Sequence, residues 1–214
     1  MACQHKFYDY LNLGRLDFEP TTLIVGTFNP SWPAGNNASW FYGRTHDEYG
    51  NLNNSFWDVL PRLYGEESLI NATHIEWKQF CHYKRIAITD IIQSIDDVNE
   101  QIPAHVNMMR GYSDDDIADN FYDFDITNLV RLIRNHPSII NAYVTRSYSA
   151  TFWKQKIYPL KWFCEATGRN LKPVLTPSGF AFREQSRYNR LNPNNQFDLS
   201  DFIKYRWELV WHVI

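Results

Sequence analysis

Cysteine is scarce in this chain. Only Cys3, Cys81 and Cys164 occur among 214 residues, and they lie far apart. An odd, scattered set argues against a disulfide framework and for a reducing compartment. It also leaves too few thiolates for a four-cysteine iron–sulfur site made by this chain alone. Cys81 and His82 are adjacent rather than at zinc-ligand spacing, so no metal is expected there. Long apolar runs are missing as well. None approaches the ~18 residues of a membrane span, so no membrane partner is expected. Met1 to Tyr10 carries Gln4, His5, Lys6 and Asp9 among its apolar residues and does not read as a signal peptide. A G-x-x-x-x-G-K-[ST] phosphate loop is absent, which argues against nucleoside triphosphate binding of that kind. Repeats, low-complexity tracts and Pro/Gly/Ser linkers are absent too, so residues 1–214 read as a single domain.

Neither sign of charge dominates. Lys and Arg number 21 against 24 Asp and Glu, for a net charge of −3. A strongly nonspecific DNA binder is expected to be basic, so this balance counts against one. The charges are nonetheless clustered. Asp114, Asp115, Asp116, Asp119, Asp123 and Asp125 crowd one segment, which reads as a solvated face. Arg183, Arg187 and Arg190 crowd another. A local basic face can coexist with an acidic whole.

Aromatic residues are abundant. They make up 16% of the chain, with eight tryptophans. Rings packed in a large core account for such a content most simply. A sharper reading makes some of them stacking platforms for nucleobases.

Four short apolar runs read as buried strands: 22–26 (Thr-Leu-Ile-Val-Gly), 85–89 (Arg-Ile-Ala-Ile-Thr), 141–145 (Asn-Ala-Tyr-Val-Thr) and 173–175 (Pro-Val-Leu). Runs without clean polar alternation suit strands covered on both faces. Helical spacing recurs between them. Residues 55–64 place Phe56, Val59, Leu60 and Leu63 on one face, with Ser55 as cap. Residues 125–135 do the same with Ile126, Leu129, Val130 and Ile133. A third helix is expected over 149–167, split at Pro159 and stopped at Gly168. A fourth is expected over 198–213, with Trp207, Leu209 and Trp211 alternating as a strand would. This order predicts an α/β fold: a three-layer α/β/α sandwich around a central four-stranded parallel sheet. In such folds ligands bind beyond the carboxyl ends of the strands.

Four segments at those ends carry candidate chemistry. The first is Thr27-Phe28-Asn29-Pro30-Ser31. Gly26 just before it permits close approach to the backbone. Phe28 can stack on a planar ring, and Asn29 can orient a water or read an amide-like base edge. An Asx-type turn is the plainer role for Asn29. The second runs from Phe41-Tyr42-Gly43 to Asn54-Ser55-Phe56-Trp57, where aromatics and an amide meet a helix start that favours negative charge. Asn54 as a helix cap and Phe56 and Trp57 as core are the alternatives. The third is Asp90, a carboxylate at a strand end, read equally as a catalytic group or a structural cap. The fourth is Thr176-Pro177-Ser178-Gly179-Phe180, followed by Arg183 and Arg187. Small residues there can seat a phosphate, Phe180 can wedge into a base stack, and the arginines can neutralise phosphates. An ordinary turn with a solvated basic face is the alternative.

Taken together, these segments resemble the uracil-DNA glycosylase superfamily. Thr27-Phe28-Asn29-Pro30-Ser31 is similar to the G-x-N-P-G loop of its mismatch-specific branch, whose catalytic asparagine falls on Asn29. Phe41-Tyr42-Gly43 through Asn54-Ser55-Phe56-Trp57 resembles the Y-Y-x-H-P-x-N-x-F-W motif of the hypoxanthine (deoxyinosine) branch, whose catalytic asparagine falls on Asn54. The segment 88–94, Ile-Thr-Asp-Ile-Ile-Gln-Ser, resembles that branch's W-D-V-I-x-S. Thr176-Pro177-Ser178-Gly179 stands where the family has its DNA loop. The chain departs from these patterns at Arg44-Thr45-His46, at Ser31 and at Phe180.

The resemblance implies a monofunctional DNA glycosylase that excises uracil, hypoxanthine or xanthine flipped out of damaged duplex or single-stranded DNA. It implies a monomer in the bacterial cytosol or nucleoid, with no metal or organic cofactor. Asn29, Asn54 and Asp90 would be catalytic. Thr27, Phe28, Phe41 and Tyr42 would hold the base. Thr176, Ser178, Gly179, Phe180, Arg183 and Arg187 would bind DNA. Two other readings stand beside it: an inactive nucleic-acid-binding relative, and an α/β enzyme acting on free nucleosides or nucleotides.

Overall fold

Alternation along the buried runs decides how the layers form. In a strand successive side chains point to opposite faces. The computed structural model describes residues 1–33, 37–111, 113–147 and 150–213. In it β1 (Cys3–Gln4) precedes β2 (Thr22–Gly26), α1 (Phe56–Leu63), α2 (His74–Tyr83), β3 (Ile86–Asp90), β4 (Ile92–Ile95), α3 (Pro103–Gly111) and α4 (Asp114–Asn120). Then come β5 (Phe124–Ile126), α5 (Leu129–Asn135), β6 (Asn141–Val144), α6 (Thr151–Ala166), β7 (Asn170–Pro173), α7 (Phe182–Leu191) and α8 (Leu199–Glu208). Leu23 and Val25 of β2, Ala87 of β3, and Ala142 and Val144 of β6 face a core shared with α3 to α6. Ile24, Ile86, Ile88 and Tyr143 face a second core shared with α1, α2 and α8. The result is a three-layer α/β/α sandwich.

The central sheet has the order β3-β2-β6-β7, with every neighbouring pair parallel. The chain runs from β2 outward to β3 and then returns across β2 to β6. The carboxyl ends of β2 and β6 therefore flank a topological switch point, where a crevice opens in open parallel sheets.

Several boundaries differ from the sequence reading, each for a physical reason. The last strand is Asn170–Pro173 rather than 173–175. It is a polar edge strand with little apolar signal, and Val174 and Leu175 lie where the chain leaves the sheet. The 125–135 helix begins only at Leu129, because Asn128 accepts the Arg131 backbone N–H as cap and 124–126 pair as a strand. Replacing Asn128 with Ala should lower stability by about 1 kcal/mol in urea unfolding. Pro159 does not split α6. It is exposed, as is Gln155, whose carbonyl loses its donor and is left to solvent, while Trp153, Ile157, Leu160 and Cys164 hold the helix to the sheet. The expected start of that helix at Ser149 falls outside the described residues. Trp207 and Trp211 are buried and stacked at 5.5 Å while Leu209 is exposed, so helical rather than strand spacing governs the end of α8.

A second, three-stranded antiparallel sheet, β1-β4-β5, went unread in the sequence. It positions the site. β1 pairs with β4, and the chain then bonds both the β4 edge (His5 N to Gln93 O, 2.7 Å) and the loop after β2 (Lys6 N to Asn29 O, 2.7 Å).

Candidate active site

The loop after β2, the end of β3, the start of α1 and the loop after β6 wall one cavity of about 750 Å³. That volume suits a nucleotide-sized ligand. Thr27, Phe28, Asn29, Tyr42, Asn54, Asp90, Thr176, Ser178 and Phe180 all line it.

Asp90 sits at its inner end. The side chain is 2% exposed, and both partners share one oxygen. Oδ2 accepts from His5 Nε2 at 2.7 Å and from Asn29 Nδ2 at 2.7 Å. The other oxygen, Oδ1, lies over Gly26, where a β-carbon would sit 2.2 Å from it and 2.6 Å from the Tyr42 hydroxyl. Gly26 is thus required by the protein's own carboxyl and phenol.

Asn29 donates its amide N–H to Asp90, which leaves its Oδ1 without a protein partner among the described residues. Asn54 has the opposite polarity. Its Oδ1 accepts the Phe56 N–H at 2.9 Å and so caps α1, leaving Nδ2 as a donor. Ser55 occupies the cap position without making a capping bond; its hydroxyl instead accepts from Ser200. The cavity therefore presents an amide acceptor at Asn29 and an amide donor at Asn54.

Tyr42 owes its direction to backbone strain. Its φ is +57°, in a region bulky residues seldom enter. The turn sends Tyr42 to the cavity, where its ring stacks on Phe56 at 3.9 Å and its hydroxyl bonds Thr145 Oγ1 at 2.8 Å. Burial first, then the negative neighbours Asp90 and Asp114, hold its phenol well above the ordinary range. The same turn drives Phe41 the other way. Phe41 is fully buried against Phe7 and Trp40, and its carbonyl accepts the Trp57 indole N–H. Phe41 is therefore core, a correction to its expected place against the base.

The DNA-side candidates divide. Thr176 and Ser178 bond each other at 3.0 Å on the wall, and Phe180 stands 73% exposed at the rim. Gly179, Arg183 and Arg187 do not line the cavity. Arg183, Arg187 and Arg190 share one exposed face of α7, at helical spacing. From α7 and α8 the cavity receives instead Glu184 and Arg206, paired at 2.6 Å.

Several lining residues escaped the sequence reading. Arg146, in the loop after β6, bonds Asp114 at 2.8 Å and also Asp115, and its guanidinium lies 4.5 Å from the Trp153 ring centre. Asp114 thus lines the site rather than only a solvated face. Burial raises its carboxyl above the usual range, opposed by Arg146 and the Thr27 hydroxyl. His5 was missed too, although buried Cys3, His5 and Phe7 alternate with exposed Gln4 and Lys6, a strand-like pattern visible in the sequence.

No family model and no curated protein matches the chain. Among solved structures, the fold is similar to the solution NMR structure of a "putative Uracil DNA glycosylase" from Methanosarcina acetivorans. The match has a TM-score of 0.51 and 14% identity, and covers 89% of this chain and 92% of that one. The architecture is thus that of a uracil-DNA glycosylase-like α/β fold.

Proposed function

We propose that this protein is a DNA glycosylase that hydrolyses the N-glycosidic bond of a deaminated base turned out of DNA. One observation carries the reading: the 2.7 Å bond from Asn29 to Asp90 on the wall of the cavity, which engages Asp90 Oδ2 and leaves a second oxygen on each side chain, Asn29 Oδ1 and Asp90 Oδ1, to hold a water. A water bound between two acceptors donates to both and turns a lone pair outward. As its oxygen bonds to C1′ of the sugar, its proton passes to Asp90. The C1′–N bond breaks, and its electron pair leaves with the base. Asn54 Nδ2 and the positive end of α1 meet the charge that develops on that base. Phe28 supplies an apolar face for the everted ring, a contact worth about 1–3 kcal/mol. Phe180 at the rim fills the gap left in the stack. Extrusion itself costs a few kcal/mol, least for a mispaired base. The exposed arginines of α7 track phosphates outside the cavity.

A second reading, an enzyme of free nucleosides, draws support from the cavity wall. Asp90, Asp114, Asp115 and Glu184 stand there beside Arg44, Arg146 and Arg206, and carboxylates hold both Arg146 and Arg206. Such a wall repels phosphates more than a basic groove does.

The experiment is one assay with two arms. Labelled duplexes and single strands carrying uracil, hypoxanthine or xanthine are incubated with the protein and cleaved with alkali, beside the matching free deoxynucleosides. Base release from DNA, falling about 10²- to 10³-fold in Asn29→Ala and in Asn54→Ala, supports the glycosylase. Release from free nucleosides only overturns it in favour of the second reading.

A further inference from the structure

We infer that His5 is a positioning residue of the cleavage reaction, holding Asp90 so that Asp90 in turn sets both itself and Asn29 toward the attacking water. The inference rests on the glycosylase reading of the site and extends it to a residue outside the loops that carry the family resemblance.

The geometry assigns the proton. His5 Nδ1 accepts the Phe7 backbone N–H at 2.9 Å, so that nitrogen carries no proton. Nε2 must then be the protonated nitrogen, and it donates to Asp90 Oδ2 at 2.7 Å. The ring is thereby fixed as a donor through Nε2 and an acceptor through Nδ1. Its side chain is fully buried, with the rings of Phe7, Phe28 and Phe41 at centroid distances of 5.9, 5.8 and 5.5 Å. This apolar cage keeps water from competing for Oδ2.

The backbone is fixed as firmly as the ring. His5 N donates to Gln93 O, His5 bridges Pro30 in antiparallel register, and Lys6 N donates to Asn29 O. One segment thus grips the strand after Asp90 and the loop that bears Asn29. The carboxyl of Asp90 is faced by His5 from this segment, by Asn29 from the β2 loop and by the Tyr42 hydroxyl over Gly26; Asp114 of α4 adds its charge nearby. Among these, His5 and Asn29 alone donate to Oδ2 among the described residues. With Oδ2 occupied twice, the carboxyl cannot rotate without losing two bonds, and Oδ1 stays over Gly26. A base oriented by a third group is a recurring device of hydrolytic sites.

The test separates positioning from mere folding. His5→Gln keeps an N–H donor near the Nε2 position, and His5→Phe removes it while keeping an aromatic filler. Steady-state base release and thermal melting are measured for both. The expected result is a kcat about 10- to 100-fold lower in His5→Phe with KM unchanged, and recovery of most of that loss in His5→Gln. Unchanged kcat in His5→Phe, a loss seen in KM alone, or no recovery in a folded His5→Gln overturns the inference while leaving the glycosylase reading intact. An inactive wild-type protein overturns that reading, and this one with it. Should His5→Phe fail to fold, imidazole nitrogen NMR of the wild-type protein decides instead. A proton on Nε2 and none on Nδ1 through the neutral range supports the inference, and any other tautomer overturns it.

Discussion

Asp90→Asn should reduce base release by about 10²- to 10⁴-fold while leaving the protein folded. The substitution is nearly isosteric, and with its carbonyl in the place of Oδ2 it still accepts from both donors. It removes the group that receives the proton as water attacks. The amide it introduces must also turn its N–H₂ either toward the donors His5 Nε2 and Asn29 Nδ2 or into the place of Oδ1, where the water's hydrogens point. The first sets donor against donor and loses both bonds that hold the side chain, and the second costs the bound water an acceptor. Single-turnover release kinetics on a uracil or hypoxanthine duplex check the magnitude, and circular dichroism with melting checks the fold. Asn29→Ala combined with Asp90→Asn should be little slower than Asp90→Asn alone, because the two side chains act on one water. Full additivity of the two losses would show that they act separately and would contradict the shared-water geometry.

Gly26→Ala should abolish activity and destabilise the fold by about 1–3 kcal/mol, the range for overpacking a filled interior. The added carbon would stand 2.2 Å from Asp90 Oδ1 and 2.6 Å from the Tyr42 hydroxyl. Neither neighbour can withdraw cheaply. Asp90 is bonded to His5 and Asn29, and Tyr42 is bonded to Thr145 and stacked on Phe56. A single methyl therefore displaces the carboxyl and phenol together, and with them an oxygen that holds the water. Denaturant unfolding gives the stability change, and the release assay gives the activity. Wild-type rates in Gly26→Ala would mean that Asp90 does not act from this position.

The central sheet was readable because its strands are buried on both faces. A strand so placed must be apolar at nearly every position, and β2, β3 and β6 are short, β-branched runs with sharp polar borders. Edge strand β7 is polar and mostly exposed, so its apolar signal falls on the residues just after it, Val174 and Leu175. Strands β4 and β5 were hidden for a different reason. They form a small antiparallel sheet whose partner, β1, comes from the far end of the sequence, and pairing at such separation leaves no local periodic mark.

The site divides along the same line. Composition and order along the chain determined that amide, carboxyl and aromatic residues follow the parallel strands, which is where such sheets open a crevice. Tertiary structure alone decided which of them meet. It brought Asn29 and Asp90 into contact across 61 residues of sequence and added His5 across a further gap. It also turned Tyr42 inward and Phe41 away through one left-handed residue, and drew Arg146 and Asp114 to the wall. The physical reason is that burial and periodicity act between near neighbours and are written into the local pattern of residues. A hydrogen bond between distant side chains depends on register, strand order and backbone turn, and these exist only once the layers have packed.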